Sequence, residues 1–388
     1  MSLGNEKPAT PTVSAARRRR RLVLRALVAL VPSLLLVAAA EVWVRYRYEE
    51  ITARPYFLPG IYASADPPRR FTLVPSYEGR YFEGGEVIPT RTNALAMRDP
   101  DLDQARRGAE RRVLFLGDSI TFGRGVRDEE SYPRRCEALW REALGGEAGR
   151  EVACFNAGVP GYDTVQELAT LAAVGTAIAP HLVLVGWYRN DVAVPTAEQP
   201  ASVIEGQLAP DREWYEDWKR RTIDHQENLF DRSMLLRLAR YEWKDVKLRL
   251  WGLDRRAGDV EDQGDEGGLG RCLNALREIH AWCQAHGARM GVVLFPAREE
   301  VEADLEIEPP LMVAVREMCR AEGIEVLDLL QRWRDDWASR QATLYLPRDR
   351  CHPNALGHDQ VARWVAEAFQ PTLRAEPMRP GSQPGDGE

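Results

Sequence analysis

The sequence contains no Cys-x-x-Cys pair and no His-Glu-x-x-His motif, which gives a metal site of the zinc type little support. No strand-like run leads into a Gly-x-Gly-x-x-Gly turn or a Walker loop, so nucleotide binding is not expected and no cofactor is invoked. No internal repeat is present, which sets aside repeat architectures. Six cysteines, Cys136, Cys154, Cys272, Cys283, Cys319 and Cys351, are too few for a disulfide framework in 388 residues. Cys272 and Cys283 are separated along one helical stretch by about 16 Å, too far to bond. The cysteines read as small buried hydrophobes.

Net positive charge is confined to the first residues. Lys+Arg number 52 against 59 Asp+Glu, a net charge of -7. Lys7 and the arginines at 17–21 and 25, against Glu6, make the leader strongly basic and leave the body acidic. An acidic body argues against a nucleic-acid partner, which needs a basic face. Hydrophobic residues are 44% and charged residues 29% of the chain, enough for one large or two small domains with a real core.

The leader has its own logic. Residues 1–21 form a basic stub, and Leu22 to Val44 carry only Arg25 and Glu41 as charges. As a helix, this stretch with a snorkelling Arg25 spans the roughly 30 Å of a hydrocarbon core. Trp43, Tyr46 and Tyr48 fall where an aromatic belt belongs, and Arg17–Arg21 hold the N-terminus in the cytoplasm. The expectation is a single-pass signal-anchor over 22–44 with the body on the extracytoplasmic side. The rival is a secreted protein after signal cleavage, since Ala38-Ala39-Ala40 resembles a cleavage site.

Residues 45–110 read as an irregular juxtamembrane segment with a few short strands. From Arg112 the pattern changes. Apolar runs at 113–116, 152–155, 182–185, 291–295 and 325–328 alternate with helical periods near 131–144, 163–176, 269–286, 309–322 and 354–369. Short continuous apolar strands spaced by helices predict a doubly wound, flavodoxin-like parallel sheet in a three-layer α/β sandwich over 111–370. A long insertion, 192–268, interrupts it with Trp214, Tyr215, Trp218, Tyr241, Trp243 and Trp251. Within it Ser233–Leu250 has the period of a basic amphipathic helix, suited to a core face, a lid or a membrane surface. Residues 257–268 read as a loop and 371–388 as a disordered tail.

Chemistry collects at strand ends, where open α/β sheets bind ligands. Gly117-Asp118-Ser119-Ile120 follows the first strand and presents the Ser119 hydroxyl and N–H on a tight turn. Asp349-Arg350-Cys351-His352-Pro353-Asn354 precedes the last helix, with Pro353 expected in its first turn. Its spacing lets Asp349 accept the Nδ1–H of His352 and leave Nε2 to take a proton from a serine. Asn156 to Thr164, with Gly161, and Tyr188-Arg189-Asn190-Asp191 can supply oxyanion donors.

These four blocks, in this order, resemble the SGNH hydrolases, or GDSL esterase/lipase family, over about Arg112 to Phe369. The resemblance implies Ser119 as nucleophile, His352 as base and Asp349 as the residue that orients it. It further implies an oxyanion hole made by the N–H groups of Ser119 and Gly161 and the Asn190 side chain, with Gly158 as the alternative glycine. The third block departs from the family in lacking a glycine two residues before Asn190-Asp191, which suggests a more crowded and cationic neighbourhood. The expected function is an extracytoplasmic serine esterase that hydrolyses carboxylic esters, with short acyl groups on a carbohydrate preferred. An O-acyltransferase acting on an extracellular polysaccharide and a lipid esterase or lysophospholipase are the alternatives, the latter favoured if the amphipathic stretch touches the bilayer.

Overall fold

The computed structural model describes residues 13–47, 60–83, 86–101, 103, 106, 109, 111–144, 151–192, 202–209, 211–222, 233, 235–236, 266–302, 308–340, 343–347 and 349–375. The chain divides into two units, residues 1–53 with 224–252 and residues 54–223 with 253–388.

In the first unit one helix, α1 (Val13–Arg47), contains a stretch from Arg17 to Val44 long and apolar enough to cross a membrane. Pro32 lies inside it and removes a backbone donor, while the neighbouring Ser33 hydroxyl donates to the Ala29 carbonyl at 2.9 Å. Near the far end, the Glu41 carboxylate accepts from the Ser233 hydroxyl at 2.8 Å and the Leu235 N–H at 2.9 Å. Apart from residues 233, 235 and 236, the amphipathic Ser233–Leu250 stretch lies outside the described residues.

The second unit opens with two antiparallel hairpins, β1 (Tyr62–Ser64) with β2 (Phe71–Leu73) and β3 (Glu78–Glu83) with β4 (Glu86–Arg91). The main sheet follows: β5 (Arg111–Gly117), β6 (Val152–Asn156), β7 (Leu182–Trp187), then β10 (Arg289–Leu294) and β11 (Glu325–Asp328). A third hairpin, β8 (Ser202–Ile204) with β9 (Gln207–Ala209), lies in the insertion. Strand order in the five-stranded sheet is β11-β10-β7-β5-β6, and every neighbouring pair is parallel. Numbered among themselves, the five run 2-1-3-4-5 across the sheet, the flavodoxin-like doubly wound order, which reverses between β5 and β7. The runs Val113–Leu116, Val152–Phe155 and Leu182–Val185 are buried without alternation because helices cover both faces.

The α-helices are α2 (Ser119–Phe122), α3 (Tyr132–Leu144), α4 (Thr164–Ile178), α5 (Arg212–Thr222), α6 (Glu266–Ala285), α7 (Arg298–Glu302), α8 (Pro310–Ala321), α9 (Leu330–Arg340) and α10 (Ala355–Arg374), and short 3-10 turns cover Asp128–Glu130 and Arg189–Val192. On one layer α3 packs on α10, and on the other α4 packs on α6. Two boundaries differ from the sequence pattern. Helix α6 begins at Glu266, inside the stretch read as a loop, because Gly268 and Cys272 turn inward. Helix α10 continues through Pro371 to Arg374, held by buried Leu373, whose carbonyl accepts from Arg111 Nε at 2.8 Å.

The first two hairpins are bound to the sandwich. Ile61, Phe71, Leu73, Tyr81 and Ile88 form one apolar cluster with Phe122, Val159 and Tyr162. Beyond them Arg106 is ion-paired to Asp99 at 2.8 Å and to Glu137 at 3.1 Å, and Glu137 in turn accepts the Cys154 N–H of edge strand β6 at 2.7 Å. All three side chains are buried. Arg134 also pairs with Asp99 at 3.3 Å and Glu137 at 2.9 Å, and Arg141 with Glu137 at 3.1 Å, but Arg106 is the buried cation, and breaking a buried pair costs about 3–5 kcal/mol. Arg106→Ala in the detergent-solubilised full chain should therefore lower the melting temperature by roughly 10 °C; a shift under about 2 °C would show the pair contributes little.

Candidate active site

Strand β5 ends at Gly117, where φ is +151° and an added Cβ would lie 3.0 Å from the Gly186 carbonyl oxygen. Only glycine fits that backbone so close to β7. Asp118 then caps α2, its Oδ1 accepting the Ile120 N–H at 2.8 Å, so Ser119 occupies the first helical position. The turn closes at Gly123 in the left-handed region, φ +83°.

The Asp349–His352 turn is held by its own carboxylate. Asp349 Oδ1 accepts the N–H groups of Cys351 and His352, both at 2.8 Å. Its Oδ2 lies 2.8 Å from His352 Nδ1, and His352 Nε2 lies 2.7 Å from Ser119 Oγ. A carboxylate only accepts, so Nδ1 carries the hydrogen and Nε2 is left to accept from the serine hydroxyl. Burial raises the Asp349 carboxyl, but the hydrogen bond and charge of His352 and the two N–H groups outweigh it and hold the carboxyl well below its usual range. Ser119 and His352 are 9% and 6% exposed. Pro353 lies one residue before the helix cap, not in the first turn as the sequence suggested. Asn354 is the cap, accepting the Gly357 N–H at 2.9 Å.

The other two blocks converge from β6 and β7. Asn190 Nδ2 donates to Asp118 Oδ2 at 2.9 Å, which ties the residue before the serine to the third block. Gly161 has φ +87°, a conformation glycine tolerates, and Tyr162 beside it shares an apolar cluster with Phe122 of the serine turn. Gly158 is placed differently: its N–H is used by Asn156 Oδ1 at 3.1 Å, and its Cα packs on Thr121. Among the described residues, the Ser119 and Gly161 N–H groups have no protein acceptor. The cationic neighbourhood expected around the third block is neutralised, since Arg189 pairs with Glu299 at 2.9 Å and Glu300 at 3.6 Å.

Several residues at the site carry no motif. Buried Arg98 donates from Nη1 to the carbonyls of Phe122 at 2.9 Å and Gly123 at 2.5 Å, from Nη2 to that of Val126 at 2.7 Å, and from Nε to Asp128. It clamps the chain just after the serine turn. Thr121 hydrogen-bonds the Tyr132 hydroxyl at 2.8 Å, and Phe71 lies against Gly161. Asp349, Cys351 and His352 offer three donor atoms within 4.8 Å of one another, the sole such group among the described residues. They suit a metal poorly, because burial keeps the Cys351 thiol far above its ordinary pKa and Nδ1 is already bonded to Asp349.

A hydroxyl that donates to an imidazole, itself held by a carboxylate, at the switch point of a parallel sheet is the arrangement that acyl transfer needs. The class so defined is the carboxylic ester hydrolases. Residues 115–360 match the GDSL-like Lipase/Acylhydrolase family, and the chain belongs to it. Among solved structures it is similar to the acetyl xylan esterase AlAXEase, at 16% identity over 66% of this chain and 98% of that one, TM-score 0.39. It is also similar to a two-domain esterase active on acetylated mannans, at 13% identity over 72% and 55%, TM-score 0.42. A third similarity is to the acetyl-xylooligosaccharide esterase Axe2 from Geobacillus Stearmophilus, in mutant form, at 18% identity over 70% and 98%, TM-score 0.39. No curated protein matches the sequence.

The depressed Asp349 carboxyl has a consequence for stability. Its contribution is present above the unfolded-state pKa of about 3.9 and is lost as pH falls through the lower folded value. The melting-temperature gap between the native chain and Asp349→Asn should thus be widest near neutral pH and shrink steadily in acid. A gap that does not change with pH would show that the carboxylate is not held ionised by its partners.

Proposed function

We propose that this ester hydrolase is a membrane-anchored serine esterase acting outside the cytoplasm on short acyl groups, with acylated carbohydrate as the preferred substrate class. Ser119 attacks the ester carbonyl while His352 takes its proton, and Asp349 keeps the imidazole in the required tautomer. The N–H groups of Ser119 and Gly161 and the Asn190 amide receive the developing oxyanion. Water then releases the acyl group from Ser119. The observation that carries this reading is the continuous Ser119–His352–Asp349 hydrogen-bond chain at 2.7 and 2.8 Å.

A short, polar substrate is favoured over lipid by the surface. Outside α1, the large apolar side chains exposed among the described residues are three, Trp214, Leu236 and Leu356, few for a lipid-binding patch. Trp214, 46% exposed on α5, is suited to stacking on a sugar ring. Anchoring is supported by Arg17–Val44, about 42 Å long as a helix, with five arginines at its start.

Two measurements test this. Aryl esters from acetyl to palmitoyl, supplied to the solubilised full chain with and without a sugar acceptor, should be hydrolysed fastest at the acetyl end. Ser119→Ala should lose about 10³–10⁶-fold of that activity. Activity surviving the change would remove Ser119 as nucleophile; a rate rising with chain length would point to lipid; acylated sugar in place of free acid would make the protein a transferase. In membranes of the producing cell, mass spectrometry should find a peptide spanning Ala40–Glu41, and a mature chain beginning at Glu41 would overturn the anchor.

A further inference from the structure

Among the described side chains of α1, those from Arg17 to Ala39 are all exposed, and the pattern changes at the outer end. There Ala40 and Glu41 are half-buried and Val44 is 2% exposed. The three lie within one turn on one face, so that face is covered by other parts of its own unit, which comprises residues 1–53 and 224–252.

The contacts that hold it come from the insertion. Glu41 Oε2 accepts the Ser233 hydroxyl at 2.8 Å and the Leu235 N–H at 2.9 Å, and Ser233 Oγ in turn accepts the Leu236 N–H at 3.2 Å. Ser233 thus caps a turn in which Leu235 and Leu236 are helical, with the Glu41 carboxylate at its positive end. The two sides of this joint are 192 residues apart in sequence.

A carboxylate close to hydrocarbon is costly unless its oxygens are hydrogen-bonded. Glu41 lies three residues inside the end of the apolar span Arg17–Val44 and close to the exposed Trp43, which puts the joint at the level of the lipid headgroups. Leu236, on the capped turn, is 43% exposed. By sequence, the stretch that follows to Leu250 carries Arg237, Arg240, Lys244, Lys247 and Arg249 against Glu242 and Asp245, a net basic charge in an otherwise acidic body.

We propose that Glu41 holds the start of this stretch against the outer end of α1, and that the stretch adheres to anionic lipid headgroups. The inference rests on the anchored reading of 22–44 and adds a second membrane contact to it. The apolar helix supplies attachment, the capped turn ties the insertion to that helix, and the basic side chains supply an attraction to the surface that salt screens. Lipid is a surface here and not the ester that is hydrolysed.

The test uses the full chain in nanodiscs. In phosphatidylcholine discs, hydrogen exchange at the Leu235 amide should be slow, and Glu41→Ala should speed it about tenfold or more. Glu41→Gln, which keeps a carbonyl acceptor, should restore most of the protection. Should the alanine variant not fold, Ser233→Ala, which takes one donor from Glu41, should speed exchange at Leu235 and Leu236 in its place; unchanged exchange in the variant read overturns the joint. In wild type, trypsin cleavage after Arg237 and Arg240 should be about tenfold slower in discs of equal parts phosphatidylcholine and phosphatidylglycerol than in phosphatidylcholine alone, and high salt should cancel the difference. Equal rates in the two discs, or a difference that high salt leaves intact, overturn the lipid contact with no variant needed. The peptide spanning Ala40–Glu41 decides the anchor separately, so a leader removed by the producing cell sinks that reading without altering the exchange result on the intact chain.

Discussion

The hydrogen bond from the Asn190 amide to Asp118 is the contact on which the site's geometry turns. It joins residues 72 apart in sequence, at the ends of two adjacent strands where the strand order reverses. Gly117 and Gly186 stand opposite each other in the β5–β7 register, and any side chain there would meet Thr121 or Tyr132. Two bare backbones allow the serine turn to settle onto β7, close enough for Asp118 to reach the third block. Asp118 is fully buried, so burial pushes its carboxyl up; the Ile120 N–H and the Asn190 amide work against that rise. The same acid therefore caps the Ser119 helix and orients the Asn190 amide. Moving either partner would disturb both.

A second constraint comes from outside the sandwich. Arg98, from the segment before β5, is buried, and a buried guanidinium is tolerable only when its donors are satisfied. Three carbonyls between Phe122 and Val126 and the Asp128 carboxylate satisfy it, which fixes the exit from the serine turn. The hairpins repeat the pattern. Tyr81 accepts the Gly125 N–H at 2.7 Å, the Tyr162 hydroxyl donates to the Phe71 carbonyl, and Gln166 donates to the Arg69 carbonyl at 2.7 Å. A stretch that composition alone would assign to a spacer therefore walls the site and braces the glycine block. The β8–β9 hairpin joins it through the Tyr62 N–H and the Gly206 carbonyl at 3.1 Å.

The polar rim follows from the same economy of charge. Glu299 binds both Arg189 and Arg350, at 2.9 and 2.6 Å, so the cations nearest the third and fourth blocks offset each other's demands through one carboxylate. The mouth of the site is thus neutralised by ion pairs made at its own rim.

The sequence by itself determined the sandwich and the four blocks. Continuous apolar runs report burial on both faces, and the five strands and their covering helices lie where those runs and periods put them, within a few residues. Ser119, His352 and Asp349 were legible because their partners are local or follow strand ends, where a parallel fold has to gather them. The Asp349-to-His352 bond in particular spans three residues and needs only a turn. What the tertiary structure decided is everything made by contacts far apart in sequence: Arg98 around the serine exit, Asp118 against Asn190, and Phe71 beside Gly161. None of these leaves a period or a motif, because a buried polar residue is chosen by the groups that meet it across the fold, and those are known only once the chain has closed upon itself.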